Sequence, residues 1–342
     1  MRKIVLSLFF ALSLAACGEN DSNKTAQATT KPEIKIGIIL PLTGANSYMG
    51  SQMKEGYEFV KEYEHPDINY KLIYFDDQQS SSKAAVGIKK LIDVDKVDAL
   101  LTATSQTSSI AADAAEKAKI IHLGISSDTR FTKKDYNYTM APAAQDETAV
   151  LLKYMQDLGY QKIALLTANE MYADLVEKNV SELAEKYGMQ ITFNEKFTLG
   201  STDYRLLLHK AVQTNPDIFL IETFPPEIDI LTKQLLEINP DAQITSQYAF
   251  FISSNPELYK GRFCLNVGSK DEVFKKAFHQ KYGKGLEQMS ATAYAQLSLI
   301  LDILRHKEVD LDKIIKEHKS IFGQLVLDHH AVRYLPIVEV ME

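Results

Sequence analysis

IKIGIILPLTGANSYMGSQMKEG, residues Ile34 to Gly56, reads as a buried strand, a turn and a helix that opens on small residues. Ile34, Ile36, Ile38, Ile39 and Leu40 make a run dense in β-branched apolar side chains, too short for a helix and closed by Pro41. That is the pattern of a first strand covered on both faces. Thr43-Gly44 marks the turn. Gly50 and Gly56 follow six residues apart, where a helix N-terminus approaches either a ligand or the sheet with no Cβ in the way.

From this strand onward strand-like and helix-like segments alternate, which predicts parallel sheet flanked by helices. Further strands are predicted at 71–75, 97–102 and 120–124, with helices at 82–92 and 108–117, the second following a serine cluster able to cap it. A second set begins after Asp146: helix 148–158, strand 162–167, helix 175–187, strand 190–197, helix 204–213, strand 217–222, helix 227–236 and strand 243–246. Helices are predicted again at 274–282 and 290–305. The fold class is α/β, with two doubly wound parallel-sheet lobes.

The pattern P-L-T-G, five residues, G, five residues, G after the first strand resembles the opening of the leucine/isoleucine/valine-binding protein family, the type I periplasmic binding proteins that serve ABC importers. The resemblance continues through Tyr74-Phe75-Asp76-Asp77 with Ala84-Ala85, through Ile120 to Thr132, and through Ala291-Thr292-Ala293-Tyr294-Ala295. It implies a multi-crossover hinge, with residues 34–146 plus about 272–325 in the N-terminal lobe and 147–271 plus about 326–342 in the C-terminal lobe.

Arg2 and Lys3 precede an apolar run from Ile4 to Ala16 that ends in Leu14-Ala15-Ala16-Cys17, a lipobox. A charged start, a short apolar stretch and small residues before cysteine suit a bacterial lipoprotein signal over residues 1–17, in which Cys17 is diacylated. The apolar stretch, about 13 residues, is too short to span a bilayer, so only the lipid anchors the chain. Residues 18–33 lack large apolar side chains until the fold begins and form a flexible tether. The expected location is the cell envelope, lipid-anchored and facing the periplasm.

Once the signal is removed, Cys264 is the one free thiol apart from the lipidated Cys17, so no intramolecular disulfide is expected. Stability then comes from packing: about 310 residues with 45% apolar content are enough for two filled domains. A net charge of −7, with acids and lysines interspersed, argues against a nucleic-acid partner. No metal or cofactor is called for, and a monomer is expected.

In open parallel sheets ligands sit beyond the carboxyl ends of strands, where loops lead into helices. Thr102 to Ser109 is such a junction, and its hydroxyl and N–H groups suit a carboxylate or simply cap the helix. The resemblance implies the ligand carboxylate at Ser105, with Gln106 adjacent, and at Ser126 and Ser127 after the next strand. Asp128 either replaces a threonine of the family pattern, takes the place of the following asparagine, or caps its turn. From the second lobe the resemblance implies Tyr172 closing on the ligand and Phe224 at the lip, two aromatics suited to clamping an apolar side chain. Tyr48 and Met49 match a position over the ligand side chain, or pack in the core.

The chief departure is at Gln247-Tyr248-Ala249-Phe250-Phe251: amino-acid binders of the family place an acid there to pair with the ligand ammonium, and Tyr248 occupies the position. A buried ammonium without a carboxylate is costly, so a zwitterionic ligand needs Asp128 or Glu222 to supply the charge. Otherwise a flatter or more apolar carboxylate is favoured. Asp76-Asp77 reads as a structural acidic turn. His329-His330 reads as a surface pair with no metal-like spacing. No Gly-x-Ser-x-Gly, Walker, Cys-x-x-Cys or His-Glu-x-x-His pattern is present, so no enzyme is expected.

Two functions follow as expectations. The first is a tethered receptor that captures a small molecule, an amino acid or a related or aromatic carboxylate, between its lobes and delivers it to an inner-membrane ABC permease. The alternative is a non-transport envelope lipoprotein of the same fold that binds or regulates a partner.

Overall fold

The computed structural model describes residues 33–341 except 45, 64–67, 254, 268, 270, 286–287, 307–309, 324, 329 and 335. The predicted lipidation site Cys17, the tether and His329 lie outside the described residues. Among those described, two sheets are wound alike. Strand β1 (Ile34–Leu40) pairs in parallel with β2 (Tyr70–Asp76) on one side and β3 (Ala99–Thr102) on the other. Next come β4 (Ile121–Gly124) and β5 (Asn137–Met140), and beyond them β12 (Ala331–Arg333) in parallel and β11 (Val326–Asp328) antiparallel at the edge. The order is β2-β1-β3-β4-β5-β12-β11.

The second sheet has the order β7-β6-β8-β9-β10-β13, built from β6 (Lys162–Ala168), β7 (Gln190–Phe197), β8 (Ile218–Glu222), β9 (Ile244–Ser246), β10 (Phe263–Asn266) and an antiparallel edge strand β13 (Ile337–Val340). Both sheets therefore reverse their winding beside the first strand, at β1/β3 and at β6/β8, which is where crevices open. The expected pair of doubly wound lobes is what forms.

Side-chain alternation explains why β1 is apolar throughout. Ile36, Ile38 and Leu40 enter one core cluster, while Ile39 enters another with Ile88, Leu91 and Leu100, so both faces are covered. The same division holds in β6, with Ile163 and Leu165 on one side and Ala164 and Leu166 on the other.

The two glycines of the opening motif serve helix packing. Helix α1 (Ser47–Tyr63) lies against α10 (Gln288–Arg305), and a Cβ on Gly56 would run into the Ser290 backbone carbonyl. A Cβ on Gly50 would meet the Pro41 carbonyl. Neither glycine approaches the ligand cleft. Helix α10 is buried nearly all round, and its Gln296 binds the Tyr57 hydroxyl and the carbonyls of Leu123 (2.6 Å) and Thr102 (3.3 Å) beneath the first lobe's strand ends.

The chain crosses between sheets after β5, after β10 and after β12. The last crossing differs from the expected one near 326: β11 and β12 complete the first sheet, and only β13 joins the second. Each strand is three residues long, and Val326 is exposed, so neither carries a readable pattern. His330 also differs from its reading as a surface residue, since it is half-buried and stacked on Tyr138 at 4.6 Å.

Candidate functional site

The carboxyl ends of both sheets face one cleft, and every loop that reaches it leaves a strand. Ala103 to Gln106 follow β3, Ile125 to Ser127 follow β4, and Ala141-Pro142 follow β5. Glu170 to Tyr172 follow β6, Phe224 follows β8, Tyr248 follows β9 and Val267 follows β10. With Met49, Gln79 and the start of α10 they enclose a cavity of about 120 Å³. An apolar cavity of about 150 Å³ takes up benzene, so the space suits a small ligand. At the cleft mouth the lobes touch, with Ser109 Oγ 3.8 Å from Met171 Sδ.

Three helices begin earlier than their sequence pattern suggests, and those early starts build the wall. Helix α3 (Ser105–Ala118) opens at Ser105, capped by Thr104, whose hydroxyl accepts the Thr107 N–H at 3.2 Å. Ser105 accepts a hydrogen bond from Ser126 Oγ at 2.9 Å. Helix α5 (Met171–Leu183) starts at Met171, putting Tyr172 in its first turn, and Tyr172 stacks on Phe224 with centroids 6.1 Å apart. Helix α4 (Ala144–Asp157) starts at Ala144 and carries Glu147 in its first turn.

Glu147 is the polar centre of the cavity. It is 1% exposed, and its Oε1 accepts from Ser127 Oγ and from the Tyr248 hydroxyl, both at 2.9 Å. Its Oε2 lies 3.2 Å from the Tyr172 hydroxyl, which also stands 2.5 Å from Gln247 Oε1. Thr148 Oγ1 donates to the Ala144 carbonyl, so it accepts from Gln247 Nε2 at 3.0 Å, and this orients Gln247 with its oxygen towards Tyr172. The Tyr172 hydroxyl thus has two acceptors within reach, Gln247 Oε1 and Glu147 Oε2. Burial pushes Glu147 up to about 7, against the lowering effect of Tyr248, Ser127, Tyr172 and the nearby Arg333 charge.

A second carboxyl, Glu170, lines the same cavity. Burial and the charges of Glu227 and Asp174 raise it to about 7, and its Oε1 is buried with no partner. Glu222 is not part of the wall; burial lifts it to about 8, while its Oε2 accepts from Gln247 N at 2.9 Å. Among the described residues, arginine, lysine and histidine do not contribute to the cavity lining.

Of the residues singled out in the sequence, Met49, Ser105, Gln106, Ser126, Ser127, Tyr172, Phe224 and Tyr248 share this wall. Tyr48 does not; it is 38% exposed at the start of α1. Asp128 faces an outer groove, where burial is outweighed by hydrogen bonds from Arg130 at 2.6 to 3.0 Å that hold its carboxyl below the usual range. Asp128 is thus committed to Arg130. The acids on the cavity wall are not Asp128 or Glu222 but Glu147 and Glu170, neither of which had been singled out. Asp76 and Asp77 tie down loops: Asp76 accepts from Leu42 N, Thr43 N and Gln78 N, and Asp77 accepts from Thr107 Oγ1. Among the described residues no group of three His, Cys, Asp or Glu is arranged to hold a metal, and no helix is long and apolar enough to cross a membrane.

The structure is similar to a leucine-binding protein of Thermotoga maritima, at 21% identity over 90% of this chain and 95% of that one, with a TM-score of 0.82. It is similar also to the branched-chain amino acid transporter substrate-binding protein of Streptococcus pneumoniae in complex with isoleucine, at 20% identity, 91% and 97% coverage and a TM-score of 0.81. A solute-binding protein of an ABC transporter from Rhodopseudomonas palustris, in complex with 3,4-dihydroxybenzoic acid, matches at 18% identity, 91% and 93% coverage and a TM-score of 0.79. At such identities the likeness bears on the fold. The sequence itself matches the periplasmic binding protein family over residues 33–322. This chain therefore belongs to the periplasmic binding protein family and has the two-lobed fold of its type I members.

Proposed function

We propose that the protein is the solute receptor of an ABC importer, tethered to the cell envelope through Cys17, and that its ligand is a small molecule, an amino acid or close relative. The observation that carries this is the buried Glu147 carboxyl, in a cavity with a second carboxyl and no cationic side chain on its wall. A ligand ammonium placed against Glu147 favours the ionised carboxyl. The start of α3, with Ser105 and Ser126, offers hydroxyls and backbone N–H groups to a carboxylate. An aromatic carboxylate with no amine leaves the acidic groups without a cation, so it fits less well.

Ser105 and Ser126 belong to the first lobe, Tyr172, Phe224 and Tyr248 to the second, and Glu147 to the helix entered at the first crossing. A ligand that touches all of them binds the closed arrangement better than an open one, which is what drives hinge closure and the hand-over to a permease. The formed cavity favours this over a partner-binding lipoprotein, whose cleft has no need of polar anchors.

Ser105→Ala and Tyr172→Ala are the variants to test, with ligand released from purified protein identified by mass spectrometry and rebinding followed by calorimetry. Loss of binding in both, with the ligand-free proteins still folded, is expected. Unchanged affinity in both refutes the site assignment, and no small molecule bound by wild type refutes the receptor assignment.

A further inference from the structure

The cavity holds more acceptors than one ammonium group uses. Gln288, at the start of α10, is 6% exposed and lines the cavity, and its Oε1 is buried with no hydrogen-bond partner. Gln79 is held at φ +56° in the turn after β2, a conformation that favours glycine, and its Oε1 is likewise buried and unpaired. Glu170 Oε1 is the third such atom. Each is an acceptor, and a buried polar atom without a partner costs free energy that a hydrogen-bond-donating ligand group recovers.

Glu170 also stands where the cavity opens. With Gln79, Gln106, Ser127 and Met171 it borders both the inner cavity and the outer groove. The charges acting on it from its own helix and from α7 (Glu227–Ile238) are the carboxylates of Asp174 and Glu227, and Glu222 lies behind. The cations of the outer groove are already engaged: Arg130 with Asp128 at 2.6 Å, Lys196 with Asp174 and Glu177 at 2.8 and 2.9 Å, and Lys178 with Glu182 at 3.9 Å.

We propose that the ligand carries a second cationic, hydrogen-bond-donating group that docks on Glu170, with Gln79 and Gln288 as further acceptors. The ligand class is then a dibasic amino acid, its first ammonium at Glu147 and its side-chain amine or guanidinium directed to the cavity mouth. This rests on the receptor function and adds the charge of the side chain.

L-lysine and L-norleucine test it directly, because they match in chain length and differ by the terminal ammonium; L-ornithine and L-arginine complete the set. Calorimetry with wild type is expected to give at least one dibasic acid binding about tenfold or more tighter than norleucine, since the neutral side chain leaves the acceptors unpaired. Glu170→Gln is expected to erase that preference by weakening the dibasic acid about tenfold more than norleucine, with melting of the variant at or above wild type. A preference that survives Glu170→Gln overturns the assignment to Glu170. Norleucine binding as tightly as the best dibasic acid, and lost in Ser105→Ala, overturns the second charge but leaves the amino-acid receptor standing. No binding of any of the four overturns both.

Discussion

Replacing Glu147 with glutamine removes a buried ionisable group. In the ligand-free site Oε1 accepts from Ser127 and Tyr248, and the Tyr172 hydroxyl lies against Oε2. Glutamine keeps the two bonds to Oε1 and has nothing to ionise. The folded protein keeps the Glu147 proton up to pH about 7, whereas the unfolded chain releases it near its ordinary 4.5. Between those values the folded form binds more protons than the unfolded one, so stability falls as pH rises. The favourable contribution is complete below about 4.5 and gone above about 7. At 1.36 kcal/mol per unit the loss is about 3 kcal/mol. Glu147→Gln should therefore match wild type at pH 4.5 and exceed it by about 3 kcal/mol at pH 8.5. Urea unfolding followed by circular dichroism is the assay, since the chain has no tryptophan. Stability profiles that run parallel from pH 4.5 to 8.5 would refute the raised titration of Glu147.

An ammonium ligand should bind about tenfold more tightly at pH 8 than at pH 6, because a carboxyl titrating at about 7 is roughly one-tenth ionised at the lower value and nine-tenths at the higher. Calorimetry at pH 6 in buffers of different ionisation enthalpy should detect close to one proton released, and its absence counts against Glu147 as the ammonium partner. Gly56→Ala drives a methyl group into the Ser290 carbonyl on α10, and overpacking of that kind costs about 1 to 3 kcal/mol, read as a lower melting temperature. Gln296→Leu leaves the Leu123 carbonyl and the Tyr57 hydroxyl buried without their partner, and should destabilise by about 2 kcal/mol in urea titration.

The early helix starts mark where local pattern stops being readable. Sequence reading follows caps and apolar periodicity, and α4 has Ala143 at its cap position while α5 has Glu170, neither making a side-chain cap bond. Starting α4 at 148 leaves Glu147 outside the helix, and starting α5 at 175 leaves Tyr172 in a loop. In both cases the missing first turn is the part that faces the cavity. The free helix ends there are completed by the cleft and not by a local cap, so the information lies in residues distant in the chain.

The alternation of apolar segments from Ile34 onward was sufficient by itself for two doubly wound lobes, because burial on both faces of a parallel sheet makes β1 and β6 apolar throughout. The family resemblance, read at strand-to-helix junctions, likewise implied Ser105, Ser126, Tyr172 and Phe224 as cleft residues. The tertiary structure alone decided that β11 and β12 close the first sheet, that Asp128 is tied to Arg130, and that Glu147 holds the centre. A carboxyl's role depends on what surrounds it: Glu147 acquires its raised titration from burial among Tyr172, Tyr248 and Ser127, which lie 20 to 101 residues away along the chain and meet only when both sheets are in place.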